Sequence, residues 1–475
     1  MYCDKDFGVE SHGQCWGSKK SAERSYSSTF GAGIDVMTYR RGWFGVRGLG
    51  IALLVFFACS AFVAAQSEVV LHRFHLSDGA YPVGALVADT QQNLYGVTYV
   101  GGNGNCTIYP LLQAGCGTVF ELTRLPGGGW SETVLYEFQG GSDGAFPEAG
   151  LVSDQAGNLY GTTAGGGLSQ ACCGTVFELS PPAQRGGDWS ETILHRFTAY
   201  TDGAEPLGQL IFDQAGNLYG TAAAGGDCCG TVFELSPPAQ PGGDWTEITL
   251  HIFKLSRDND GEAPVAALTF DKSGSLYGTT SFGGDFGWGT VFRLRPPRSP
   301  GDRWSESIYS FRGGTADGSS PRGNLVWVRG SLIGTTVSGG LYGQGTAFQI
   351  SRSPTGVTES VVYNFQPGVY GAVTPGLVVD SAFNLYGTTV AGGGGSCDFG
   401  CGMVFQLVPP SPPGGAWTQN IIYDFQGGSD GALPYNATLL LSGDWLLGVT
   451  AEGGGSQACN PGGVDGCGTV FAVRK

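Results

Sequence analysis

Hydrophobic and polar residues alternate along residues 67 to 475 in short runs, which are bounded by Gly, Pro, Asp or Asn. Four kinds of run recur, exemplified by "GLVSD" (150–154), "NLYGTT" (158–163), "GTVFEL" (174–179) and "ETVLYEF" (132–138). All are rich in Val, Leu, Phe, Tyr and Thr, which is typical of β-strands. No run with a helical period competes with them. The pattern predicts a unit of four short strands.

Three elements of this unit each occur seven times. The Gly-Thr-Val-Phe run or a near match begins at Gly117, Gly174, Gly230, Gly289, Gly345, Gly402 and Gly468. The glycine of the "LYG" element recurs at Gly96, Gly161, Gly220, Gly278, Gly334, Gly387 and Gly448. A run ending in phenylalanine recurs at Phe74, Phe138, Phe197, Phe253, Phe311, Phe365 and Phe425.

Seven repeats of four antiparallel strands predict an all-β fold, a seven-bladed β-propeller. The repeat begins with a lone fourth-type run at 68–74 and finishes with a third-type run at 468–473. The last unit therefore lacks an outer strand, which the N-terminal run can supply. We predict that these two segments pair and close the ring, so that no sheet edge is left open between first and last blades.

The composition of the chain further indicates an N-terminal leader and an acidic surface. Residues 40–65 resemble a secretory signal, with a basic part, an apolar core at Gly50–Cys59 and small residues before Gln66. We therefore predict a mis-assigned start over 1–36, a signal peptide over 37–65 and a propeller over 66–475. Lipidation of Cys59 is a weaker alternative. The formal net charge of −16 argues against nucleic-acid binding.

Ten cysteines follow the leader in five local pairs. Each pair lies between the second and third strands of a unit, and its second member directly precedes the repeated glycine. The pairs are Cys106 with Cys116, Cys172 with Cys173, Cys228 with Cys229, Cys397 with Cys401, and Cys459 with Cys467. An even count with an export signal predicts disulfides. Zinc is the rival interpretation, although no His lies in these loops. The adjacent pairs are predicted to be vicinal, with bonds between blades as the alternative.

The loop between blades carries "DGAxP" or a variant in each unit. Its aspartates are Asp78, Asp143, Asp202, Asp260, Asp317 and Asp430, with Tyr370 in their place in the sixth loop. Six carboxylates near a central channel could hold Ca²⁺ or a polyol. The favoured alternative is that Asp-Gly forms a turn and that the ring is structural. No other cofactor and no metal ligand are expected.

Blades differ most in the fourth and fifth units, whose loops lack cysteine. We predict ligand-binding residues there, because aromatic side chains can stack on sugars or peptide side chains. The candidates are Phe282, Phe286, Trp288, Tyr342 and Gln344. No catalytic residue is predicted, because no Ser-His-Asp, HExxH or paired-Glu arrangement is evident. His72, His195 and His251 fall in the outer strand of their units.

The unit "DQAGNLYGTTAGGG…GTVFELS" resembles the GloVer tandem-repeat family of exported bacterial proteins, which vary in how they are anchored. The resemblance covers residues 67 to 475, implies an exported propeller and brings no established activity. We expect a periplasmic, cell-surface or extracellular binding module for a glycan or protein, monomeric and without a membrane span. No C-terminal anchor is expected after Lys475. The alternatives are a polysaccharide lyase or glycosidase, and a structural envelope component. Unshared carboxylates or a His at the channel mouth would favour the enzyme.

Overall fold

The computed structural model describes residues 68–475 except 108–113, 170–171, 185, 241, 255–258, 300–302, 354–355, 367–372, 412–413, 457 and 460–465. The predicted leader and signal peptide lie outside these residues. The described chain is almost entirely β-structure, with one short 3-10 turn at Gly141–Asp143. Within it, no helix is long and apolar enough to cross a membrane.

Seven four-stranded antiparallel sheets form the blades of a β-propeller, as predicted. The first strand, β1 (Val69–Arg73), belongs to the last blade. Blades 1 to 3 contain β2 (Ala80–Ala88), β3 (Leu94–Val100), β4 (Thr118–Arg124), β5 (Trp130–Glu137), β6 (Val152–Ser153), β7 (Leu159–Ser169), β8 (Cys172–Ser180), β9 (Ser190–Arg196), β10 (Ile211–Phe212), β11 (Leu218–Ala222), β12 (Thr231–Ser236) and β13 (Thr246–Ile252).

Blades 4 and 5 follow with β14 (Gly261–Glu262), β15 (Thr269–Phe270), β16 (Leu276–Thr280), β17 (Phe282–Gly283), β18 (Thr290–Arg295), β19 (Ser305–Ser310), β20 (Gly318–Pro321), β21 (Val326–Val328), β22 (Ser331–Gly339), β23 (Thr346–Ser353) and β24 (Gly356–Asn364). Blades 6 and 7 contain β25 (Val373–Val379), β26 (Leu385–Thr389), β27 (Met403–Val408), β28 (Thr418–Asp424), β29 (Gly431–Ala432), β30 (Leu440–Ser442), β31 (Trp445–Thr450), β32 (Glu452–Gly453) and β33 (Thr469–Arg474). The pairs β14–β17 and β29–β32 are small two-stranded extensions, and β20 and β21 both pair with β22.

The seventh blade closes the ring. Its strand order is β1–β33–β31–β30, and β1 pairs antiparallel with β33, with Val69 opposite Ala472 and Arg73 opposite Thr469. The segment at 68–74 therefore supplies the outer strand that the last repeat lacks. The predicted closure is confirmed, and β33 is covered on both sides.

Paired phenylalanines pack neighbouring blades together. The phenylalanine after each outer strand meets the Gly-Thr-Val-Phe phenylalanine of the next blade edge-to-face, at centroid distances of 4.9 to 5.4 Å. All fourteen rings are fully buried. The "LYG" glycine lies against the second ring in every blade, where an added β carbon would come within 2.8 Å of its terminal carbon. The repeated glycine is therefore explained by this close contact.

Disulfides close the loops between second and third strands. Cys106–Cys116, Cys397–Cys401 and Cys459–Cys467 bridge Cα atoms 5.0, 5.1 and 5.2 Å apart. Cys228 is bonded to its neighbour Cys229, so the vicinal prediction is confirmed for that pair. Cys173 is also disulfide-bonded, while the side chain of Cys172 lies outside the described part. The cysteines whose side chains are described are therefore in disulfides and do not serve as thiolate ligands of a zinc site.

Candidate functional site

The residue after the loop proline is different in almost every blade. This position opens the inner strand, which faces the propeller axis. Its occupants are Val83, Glu148, Leu207, Val265, Arg322, Gly376 and Tyr435. Because seven equivalent positions carry a glycine or apolar, acidic, basic and phenolic side chains, the axis is chemically asymmetric although the fold is repetitive.

Four of these side chains line one cavity. It opens to solvent and is bordered by Glu148, Leu207, Val265 and Arg322. The inner strands approach closely around it: Gly84 has φ +74°, and a β carbon there would clash with the backbone of Gly150 in the next blade. Small residues therefore pack the wall, and the larger polar side chains project into the open space.

Glu148 is the titratable centre of this cavity. The Asn436 amide donates a hydrogen bond of 3.2 Å to its carboxyl. Burial, followed by the charge of the nearby Glu205, raises the pKa of Glu148 to about 7, and Arg322 opposes the shift. The pKa of Tyr435 is also raised, mainly by burial and then by Glu148. The cavity wall therefore carries a carboxyl that titrates near neutrality and a guanidinium, and the Tyr435 phenol lies close enough to that carboxyl to interact with its charge.

Tyr99 lies beside the same acid. Burial and then the charge of Glu148 raise the pKa of its phenol, and its ring packs on Phe146 at 5.3 Å. We call Glu148, Arg322, Tyr435 and Asn436 the axial site. None of the four was predicted as a ligand-binding residue. The signal was the variable residue that follows an otherwise repeated proline.

The loop aromatics predicted to bind ligand lie on blades 4 and 5. Phe286 and Trp288 are half exposed, and the Arg312 guanidinium lies 5.7 Å from the Phe286 ring centroid. The Trp288 indole lies on the backbone of Gly313, in the loop that leads to blade 5. These residues therefore form a surface on that loop.

The other three candidates take different positions. Phe282 is partly buried in β17, Tyr342 is exposed, and Gln344 is partly exposed. Gln344 forms a backbone bridge with Gly339. Whether this loop surface binds a ligand remains a prediction.

The six loop aspartates form hydrogen bonds in the loops that follow the outer strands. Each accepts a backbone N–H from its own loop, and most also face the Tyr or His at the end of the preceding outer strand. Tyr136 shows the pattern: its hydroxyl donates to Asp143 at 2.5 Å and to Glu191 of the next blade at 3.2 Å. The Tyr or His, the Asp and the next blade's Glu together form what we call a junction cluster.

The described residues contain six junction clusters. They are His72–Asp78–Glu132, Tyr136–Asp143–Glu191, His195–Asp202–Glu247, His251–Asp260–Glu306, Tyr309–Asp317–Glu359 and Tyr423–Asp430–Glu68. At the seventh junction Tyr370, which lies outside the described residues, replaces Asp, and Gln419 replaces Glu. At the junction that lacks the aspartate, the glutamate is therefore also replaced, by the neutral amide of Gln419.

Burial and the neighbouring aspartate raise the pKa of the glutamates in these clusters and so favour their protonated form. Burial, followed by Asp430, raises the pKa of Glu68 to about 9. Burial and Asp143 raise that of Glu191 to about 8, and burial and Asp317 raise that of Glu359 to about 8. Two carboxylates at one site cannot both ionise without repulsion. The clusters therefore link blades through shared protons near neutral pH.

The seven sheets and the closed ring define the class: a seven-bladed β-propeller built from tandem repeats, with an asymmetric cavity at its axis. The Gloeobacter/Verrucomicrobia repeat matches residues 62–246 and 227–460. The chain belongs to this family, and the resemblance drawn from its motifs is confirmed.

Other comparisons add little. No curated protein matches the chain. A solved structure described as a provisionally assigned gluconolactonase is 13% identical, with a TM-score of 0.34 over 63% of this chain and 80% of that one. At that TM-score the likeness carries no argument about activity.

Proposed function

We propose that the protein is an exported binding module whose axial site holds a sugar unit of a glycan. The observation that carries this proposal is the convergence of Glu148, Arg322 and Asn436 from three different blades on one open cavity. Fixed donors and acceptors on a cavity wall suit a ligand rich in hydroxyl groups.

The site also favours particular sugars. Arg322 offers a planar fork of N–H donors that fits a carboxylate, while Glu148 and Asn436 can bond hydroxyls. The rest of the surface is acidic and repels anions at long range. We therefore expect short acidic sugars, held by Arg322, to be selected over long polyanions.

Export is supported by the disulfides, because such bonds persist in oxidising compartments. Four pairs close their own loops in a chain whose first 65 residues carry a signal-like segment. This placement outside the cytoplasm is part of the proposal.

A glycan array that contains neutral and acidic sugars tests the binding function with residues 66–475. Arg322→Ala should weaken binding of acidic glycans at least about tenfold, because a charge-assisted fork is lost. Arg298→Ala, which removes an equal charge from an exposed loop, is the matched control. Binding that Arg322→Ala leaves unchanged contradicts the axial site as the ligand site.

One observation favours a glycan-cleaving enzyme as the second candidate. Glu148 has a pKa near neutrality and a second carboxylate, Glu205, close enough to raise it. These are carboxylates that the blades do not share, which was the feature expected of an enzyme, and a poised acid is what general acid catalysis requires. Glu148→Gln should then retain glycan binding and abolish release of shorter sugars, followed by mass spectrometry. If the unaltered protein releases no shorter sugar from any glycan that it binds, the enzyme candidate is contradicted and the binding function stands.

A further inference from the structure

Three junction clusters contain histidine where four junctions contain tyrosine. In two of them, His72–Asp78–Glu132 and His251–Asp260–Glu306, one nitrogen and two carboxylate oxygens all lie within 4.8 Å of one another. Imidazole and carboxylate are ligands of first-row transition metals. The substitution of His for Tyr therefore changes the chemistry of these two junctions.

The separations of the ligand atoms match a coordination shell. His251 Nε2 lies 3.4 Å from Asp260 Oδ2 and 3.5 Å from Glu306 Oε2, and His72 Nε2 lies 3.3 Å from Asp78 Oδ2. These distances exceed the usual N–H···O range of about 2.7–3.2 Å. Two ligands bound to Zn²⁺ at about 2.0–2.1 Å with tetrahedral angles are about 3.3–3.5 Å apart.

The Nε2 atoms of these two imidazoles also lack a hydrogen bond of ordinary geometry. His72 Nε2 and His251 Nε2 are enclosed by protein and have only these long contacts to carboxylates. The third histidine differs, because its Nε2 atom is hydrogen-bonded to Asp202 at 3.2 Å. The Glu247 carboxylate of the same cluster accepts a hydrogen bond from the Thr249 hydroxyl. In the cluster of Tyr136 the phenol hydroxyl bonds both carboxylates. An orphaned nitrogen is therefore specific to two of the six described clusters.

The charges of the two clusters also favour a bound cation. Each of the two sites holds two carboxyls beside one imidazole, largely shielded from water. A divalent cation neutralises both carboxylates and supplies the missing partner of the imidazole nitrogen. The remaining position of a tetrahedral ion is open to water, which reaches these partly exposed side chains.

We propose that the clusters of His72 and His251 are two binding sites for a divalent transition-metal ion of the Zn²⁺ class. Each ion would join adjacent blades, because His72 lies in β1 and Glu132 in β5 of blade 1, while His251 lies in blade 3 and Glu306 in blade 4. The first site holds the strand that closes the ring. Mg²⁺ and Ca²⁺ should compete poorly, because imidazole is not among their preferred ligands.

The test uses residues 66–475 with disulfides intact, freed of metal with a chelator, dialysed and titrated with ZnCl₂. Calorimetry and metal analysis should give two Zn²⁺ per chain. The double variant His72→Tyr/His251→Tyr, which installs the residue that four junctions already carry, should fold and lose both sites, with affinity at least about 100-fold weaker. His195→Tyr is the matched control and should retain two.

Zn²⁺ should also raise the melting temperature of the unaltered protein but not that of the double variant. If the tyrosine variant fails to fold, Glu132→Gln/Glu306→Gln, which copies Gln419, provides the same comparison. No binding by the unaltered protein overturns the proposal. Two ions retained by either folded double variant overturn it equally.

Discussion

Replacing Glu191 with Gln should remove the pH dependence of one blade junction. In the folded protein burial and the neighbouring Asp143 carboxylate raise the pKa of Glu191 to about 8. In the unfolded chain a glutamate titrates near 4.5. The folded state therefore binds one more proton between these values. This contribution to stability is present below about pH 4.5 and is lost as the pH rises through about 8.

The size of the effect follows from the shift. A rise from 4.5 to about 8 corresponds to an upper limit of about 5 kcal/mol of unfolding free energy. Glu191 retains some exposure, and solvent screening reduces this value, so we expect about 1–2 kcal/mol. Glu191→Gln, whose amide is neutral at both pH values, should match the unaltered protein near pH 5. It should exceed its stability by that amount near pH 9.

Urea unfolding followed by tryptophan fluorescence measures this difference at the two pH values and one ionic strength. Asp188→Asn is the control, because it removes an exposed carboxylate beside the same strand. Parallel pH profiles for Glu191→Gln and the unaltered protein would refute the shared proton. So would a control variant that flattens the profile to the same extent.

Three other predictions concern closure, disulfides and loop aromatics. Deleting residues 66–76 should expose the edge of β33 and cause aggregation, seen by light scattering, and a truncated chain that stays monomeric with unchanged melting contradicts this. Cys106→Ser/Cys116→Ser should lower the unfolding free energy by about 2–3 kcal/mol in denaturant titrations, and an unchanged value contradicts the role given to that loop bond. Trp189→Ala should cost about 2 kcal/mol, because the ring packs between blades. Trp288→Ala should cost under about 1 kcal/mol because its ring is half exposed, and equal losses would contradict this assignment.

The fold could be predicted from the sequence because the same four-strand pattern occurs seven times along the chain. The spare run at 68–74 indicated how the ring closes, and local cysteine pairs indicated local disulfides. Each of these inferences needed only the order of strands along the chain.

The axial site could not be found in the same way. Glu148 and Arg322 meet across a cavity that exists only after the inner strands surround the axis, and a motif scan treats the residue after the proline as background. The aspartates were recognised, but not their partners, because Tyr136 and Glu191 are 55 positions apart. The Glu two positions after Trp130, Trp189, Trp245 and Trp304 was the available signal, and its meaning depends on which blades are in contact.

Ring closure has a consequence for how the chain folds. Val69 pairs with Ala472, a separation of 472 − 69 = 403 positions. Such a distant contact forms late, because a long loop must close first. Until then β33 presents an unpaired edge that β1 of another copy can occupy equally well, since the two β1 strands are identical. Protein concentration during refolding therefore decides between the closed monomer and a pair of chains that have exchanged their first strands.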